Sequence, residues 1–154
     1  MINQIRRKDR LMSDSKAKEI LMKGEYGLLS TVSSEGEPYG VPLNYAYFGD
    51  AIYFHCAKEG HKLRNMETNN KVSFCVVART EVVPVKFTSK YESVIAFGEA
   101  WEITGDEKRR GLLEIVEKYS PDFVREGEAL IEKVGEKTRV YKIMIREITG
   151  KENK

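Results

Sequence analysis

The stretch His55–Met66, H-C-A-K-E-G-H-K-L-R-N-M, gathers the residue types most capable of chemistry in this chain. Ala51–Phe54 before it alternates like a strand, Gly60 closes a short loop, and a helix begins at His61. Free backbone N–H groups and the helix dipole favour an anion at such a helix start. Lys62 adds a full positive charge, and Gly60, lacking a Cβ, lets a ligand approach the backbone. The stretch is therefore either a phosphate site or an ordinary strand-to-helix turn whose basic residues face water. Other chemistry fits less well. His55 and Cys56 are strand neighbours pointing to opposite faces, so only His55 and His61 converge, short of a zinc ligand set. Cys56 beside His61 reads as packing, since buried thiols are usually inert. No G-x-G-x-x-G, phosphate loop or G-x-S-x-G elbow occurs.

The elements that must position this stretch follow from local pattern. Ser13–Asp14–Ser15 caps a helix over Ser15–Lys23, with Ala17, Ile20 and Leu21 at helical spacing and Gly24 at its end. Tyr26–Val32 and Tyr39–Phe48 read as strands. Pro42 cannot donate to a ladder, so the second strand lies at an edge, is bulged or is locally open there. Gly49–Asp50 is a two-residue hairpin signal, which makes the first three strands a meander. The helix from His61 turns Leu63 and Met66 inward and ends near Asn69–Asn70. Lys71–Ala78 reads as a strand buried on both faces, Arg79–Thr88 as irregular, and Tyr91–Ile103 as the longest strand. The small residues Ala96, Gly98 and Ala100 leave room on one face of that strand, for close packing, a planar ligand or a second subunit. Asp106 caps a helix ending near Tyr119, Glu126–Val134 is a shorter one, and Thr138–Ile148 closes as a strand. The sum is an α+β fold of about six strands in a barrel-like, rolled antiparallel sheet with flanking helices. A doubly wound parallel sheet is disfavoured.

Size and charge narrow the function classes. At 154 residues the chain suits one domain over 1–154, with an N-terminal arm at 1–12 and a frayed tail at 149–154. A net charge of +2 offers no global field for nucleic acid or anionic lipid. No apolar run is long enough to span a membrane, and the first residues lack a signal-peptide core, so a cytoplasmic protein is expected. Cys56 and Cys75 are then expected as reduced thiols. Arg6, Arg7, Lys8 and Arg10 form either a solvated tail or a cover over an anionic site.

Five motifs in order, R-R-K-D-R, G-V-P-L-N-Y, Y-F-H-C-A-K-E-G-H-K-L-R-N-M, Y-E-S-V-I-A-F-G-E-A and R-E-I-T-G-K, cover nearly the whole chain. Together they resemble the flavin-binding split-barrel proteins related to pyridoxamine 5′-phosphate oxidase, nearest to the nitroimidazole-resistance branch. The resemblance implies a six-stranded split barrel and a homodimer with FMN at the subunit interface. It implies that Pro42, Leu43, Asn44 and Tyr45 border the isoalloxazine ring and that His55 and Cys56 continue this wall. By the same resemblance, Lys58, His61 and Lys62 hold the phosphate, and Ser93, Val94 and Ile95 reach the ring from the other subunit. The function implied is an FMN-dependent oxidoreductase passing electrons to a small acceptor, nitroaromatic or other, with NADH or NADPH as an open choice of donor. The alternative is a non-catalytic flavin or haem carrier, with His55 or His61 as an axial ligand. The last strand lacks the Arg-x-His that true pyridoxamine phosphate oxidases use for their substrate, which counts against that activity.

Overall fold

The computed structural model describes residues 4–154; residues 1–3 of the expected arm lie outside the described residues. Four helices and seven strands follow in the order α1 Asp14–Lys23, β1 Gly27–Val32, β2 Pro38–Leu43, β3 Ala46–Phe48, β4 Ala51–Cys56 and α2 His61–Thr68, then β5 Lys71–Val83, β6 Thr88–Ile103, α3 Gly105–Tyr119, α4 Val124–Val134 and β7 Arg139–Asn153. The strands form one antiparallel sheet ordered β2-β1-β5-β6-β7-β4-β3.

The expected six strands become seven because Tyr39–Phe48 is not one strand. It breaks at Asn44–Tyr45 into β2 and β3, which form opposite edges of the sheet. Only those two residues join the edges. Since a residue spans at most about 3.6 Å, the sheet must roll until its edges nearly meet there. The product is a barrel split along a seam. The break also replaces the expected meander: β1–β2 and β3–β4 are separate hairpins. Gly49 and Asp50, with φ of 57° and 58°, make the two-residue turn of the second hairpin as the sequence indicated.

Helices plug both ends of the barrel. Ser13 caps α1 by accepting a hydrogen bond from Lys16 N at 3.3 Å, and Ala17, Ile20 and Leu21 are buried. Ala17 packs near Gly150 of β7. At the other end Leu63, Asn65 and Met66 of α2 are buried, and Asn65 Nδ2 donates to Thr31 Oγ1 of β1 at 2.9 Å. The barrel interior holds Leu29, Ile52, Phe54, Phe74, Val76, Val94, Ala96 and Ile143. A second cluster, Ala51, Tyr53, Ile103, Leu112 and Val140, sits between β4 and α3.

Four further expectations change. The tail is not frayed at 149–154: β7 runs to Asn153, which pairs with Tyr91, because β6 offers a long partner. Residues 79–83 are not irregular but continue β5, paired with Thr88–Glu92, and a short turn at Pro84–Lys86 joins the two strands. β5 is buried on one face only; Val72, Phe74 and Val76 face the barrel while Val77 is 54% exposed. Thr104 rather than Asp106 is the N-cap of α3, and Asp106 lies in the first turn, where a carboxylate complements the dipole. The small face of β6 is internal: Ala96 and Ala100 are buried, and a Cβ on Gly98 would come 2.0 Å from the Met144 carbonyl at a bulge against β7. Close packing thus accounts for those small residues, not a second subunit. The N-terminal basic cluster is tied to β7 at the α1 end through a Leu11–Lys151 bridge and Met12 N–H donating to the Gly150 carbonyl. It therefore does not cover His61. Among the described residues no helix is long and apolar enough to cross a membrane.

Candidate functional site

The start of α2 is built as an open donor surface. Gly60 is its N-cap and contributes no side-chain hydrogen bond. The first intrahelical bond runs from Arg64 N to the Gly60 carbonyl, which leaves the N–H groups of residues 61–63 without a partner in the helix. Nothing lies within 4 Å of a Cβ placed on Gly60, so the space above it is open. The loop before it is pinned from behind. Arg139 Nη1 donates to the Lys58 carbonyl at 3.1 Å, and the same guanidinium grips Glu102 and pairs with Glu67 at 3.5 Å. Arg139 begins β7 and carried no signal of this role in the sequence.

Three elements converge on that surface. His61 stacks on Tyr39 of β2, with ring centroids 3.9 Å apart and planes at 23°, so the β2 edge lies against the helix start. Lys62 is half-buried, and its charge reaches both residues at the end of β4. Protein packed around part of the ring, and then the Lys62 ammonium, lower the pKa of the His55 imidazole and favour its neutral form, although the residue keeps an open side to solvent. Burial pushes the Cys56 thiol up, against the pull of Lys62 and Arg139. Cys56 faces the core and its Sγ donates to the Arg139 carbonyl at 3.7 Å; it is no nucleophile. His55, on the opposite face, is exposed. Lys58 is exposed beside Gly60. His55 and Lys62 are thus brought together beside His61, with Lys58 on the loop that precedes them, while the Cys56 side chain is turned away.

Pro42 and Asn44 are exposed and Leu43 is half-buried against the core. β2 is an edge strand, one of the placements that Pro42 allows. Pro38 and Pro42 share one backbone phase, and neither has an N–H to offer β1. Two missing donors blunt the edge against further strand pairing. Tyr45 departs from expectation. Its side chain is fully buried, and its hydroxyl donates to the Leu21 carbonyl at the end of α1. Its backbone is held from α3: the Tyr45 N–H donates to Tyr119 Oη (3.1 Å) and Lys118 Nζ donates to the Tyr45 carbonyl (3.0 Å), while the Tyr119 hydroxyl donates to the Glu25 carbonyl. Tyr45 therefore anchors the strand break instead of lining a ligand wall.

The 93–95 segment also divides by parity. Val94 points into the barrel and is fully buried, so it cannot touch a ligand outside. Ser93 and Ile95 lie on the outer face. There Ile95 sits beside Cys75, which sits beside Leu28, in register across three strands. With Val77 and Phe97 they form an apolar outer face that stays partly open to solvent. Cys56 and Cys75 are both free thiols.

A family model for pyridoxamine 5′-phosphate oxidase matches residues 13–152. The chain belongs to that family. No curated protein matches it. Among solved structures, a 5-nitroimidazole antibiotic resistance protein from Bacteroides thetaiotaomicron is 24% identical, with a TM-score of 0.73 over 92% of this chain and 85% of that one. An FAD-binding protein from Mesorhizobium loti is 23% identical, at 0.65 over 94% and 98%. An FAD and haem binding protein from Mycobacterium smegmatis is 20% identical, at 0.80 over 92% and 72%. At these identities the likeness establishes the shared fold.

Proposed function

We propose that two copies of this chain hold FMN between them and act as an oxidoreductase on a small acceptor. The observation that carries this is the convergence at the start of α2: unpartnered N–H groups at 61–63, the Lys62 ammonium, and the exposed His55 and His61 rings beside a blunted strand edge. That donor set fits a phosphate dianion. Bound FMN supplies two-electron redox chemistry; the chain supplies binding, orientation and electrostatics. Lys62, His61 and Lys58 neutralise the phosphate. Pro42, Leu43 and Asn44 border the ring through the edge backbone of β2, and His55 continues that wall as a neutral imidazole. The apolar outer face with Leu28, Val77 and Ile95 is the surface a second copy covers, and it would bring Ser93 and Ile95 of one subunit toward the other's ring. The Bacteroides neighbour supports a nitroaromatic acceptor of the 5-nitroimidazole type; NADH or NADPH is the donor to try first.

The test is direct. Protein purified from a flavin-rich host, or mixed with FMN, is expected to retain flavin absorbance through gel filtration and to sediment as a dimer. Val77→Lys, at an exposed position, is expected to yield a folded protomer that no longer dimerises or holds FMN. Colourless protein that takes up no added FMN overturns the proposal. Haem binding is a second reading, favoured by the exposed, neutral His55 imidazole. A Soret band on haem addition that His55→Ala abolishes would select it.

A further inference from the structure

The end of α3 carries a cation without a counter-charge. Lys118 is half-buried, and its Nζ donates to the Tyr45 carbonyl at 3.0 Å. The ammonium lies 3.7 Å from the centre of the Tyr45 ring and 5.1 Å from that of Tyr119. Two other half-buried lysines have acidic partners: Lys16 pairs with Glu92 and Glu152, and Lys142 with Glu107. Among the described residues Lys118 has none within 4.0 Å. A carbonyl and two ring faces replace only part of the lost hydration, and burial pulls the amine down to about 8.

This ammonium opens onto a cleft of about 450 Å³ lined by Lys23, Glu25, Tyr26, Asn44, Lys118 and Tyr119. The size lies within the roughly 300–1,000 Å³ of small-molecule sites. Tyr26 is 61% exposed and presents an aromatic wall. Lys23 is already paired with Glu19 at 2.6 Å, and the exposed Glu25 carboxylate is screened by solvent. The desolvated cation is thus the strongest unanswered charge in the cleft.

We propose that this cleft binds a small aromatic carboxylate, its carboxylate on Lys118 and its ring against Tyr26. The cleft opens at Asn44, beside the flavin ring of the proposed function. An acidic aromatic acceptor seated here would lie against the ring edge; that placement rests on the flavin proposal, whereas the anion binding does not.

The pH dependence has a definite sign. A bound carboxylate stabilises the ammonium, so affinity is constant below about 8 and falls as pH rises above it. Besides Lys23 with Glu19, Glu25 and Tyr26, the groups facing Lys118 are the Tyr45 and Tyr119 phenols. Burial raises both phenols, which keeps them neutral in this range.

Calorimetric titration with benzoate, and with benzamide as its neutral counterpart, tests the site in the protein as purified. Benzoate is expected to bind about tenfold or more tightly than benzamide, with Lys118→Met removing that preference and Lys118→Arg keeping it. Because Lys118 also supports the Tyr45 carbonyl, wild-type benzoate affinity at pH 7 and pH 9.5 is the second measure. No benzoate binding, equal affinity for the two probes, or a flat pH profile overturns the proposal. In flavin-loaded protein benzoate is further expected to shift the flavin spectrum. Binding without a shift removes the acceptor role and leaves the anion site, while failure of FMN uptake is scored separately by absorbance.

Discussion

Replacing Lys62 by alanine separates a phosphate site from a basic turn. FMN and riboflavin differ only in the phosphate, so the isoalloxazine contacts cancel when the two are compared. Lys62 is half-buried at the first turn of α2, and its field is strong enough to help depress His55. A charge-assisted contact of this kind is worth about 1.5–3 kcal/mol, or roughly tenfold to a hundredfold in affinity. FMN should weaken by that factor and riboflavin by less than about twofold. The FMN preference should shrink without vanishing. The N–H groups of residues 61–63 and the helix dipole remain, and the dipole alone contributes about 0.3–1 kcal/mol. Added salt should narrow the gap between wild type and variant, because a half-exposed charge is partly screened. Quenching of flavin fluorescence during titration reads both affinities. Equal losses for the two flavins would refute a phosphate at Lys62 and return the stretch to a solvated turn.

Two other outcomes are expected. His55 should titrate by NMR below its ordinary pKa, and Lys62→Ala should move that midpoint up; because the unfolded chain protonates first, His55 contributes stability above its unfolded pKa that is lost as pH falls. An unshifted His55 resonance would contradict its placement. Tyr45→Phe leaves the Leu21 carbonyl buried without its donor, which should cost about 1–3 kcal/mol and lower Tm by roughly 2–10 °C in calorimetry; an unchanged Tm would show that the strand break is not anchored there.

Much of the chain was legible because the signals were local. Ser13 at the start of α1, the Gly49–Asp50 turn and the helix from His61 each depend on a few adjacent residues, and each stands in the fold; Pro42 narrowed its strand to a few placements, of which the edge is the one found. The resemblance of the ordered motifs reached the family. Side-chain direction was less legible. Tyr45, Cys56 and Val94 were expected at a ligand wall but face inward, because parity along a strand is set by where the chain breaks and bulges. Tyr39, Arg139 and Lys118 were missed for a related reason: their partners lie on other elements, Tyr119 excepted, and no spacing in the sequence pairs them.

The sequence by itself determined where the helices and most of the strands begin, where the tightest turn lies, and that an anion-seeking glycine–histidine–lysine start lies between β4 and α2. Only the tertiary structure decided the strand order, the roll that sets β2 and β3 at opposite edges of one seam, and which side chains meet there. The physical reason is range. Caps and turns are closed by bonds between neighbours in the chain, whereas Tyr39 on His61, Arg139 on Lys58 and Lys118 on Tyr45 exist only after distant strands have paired.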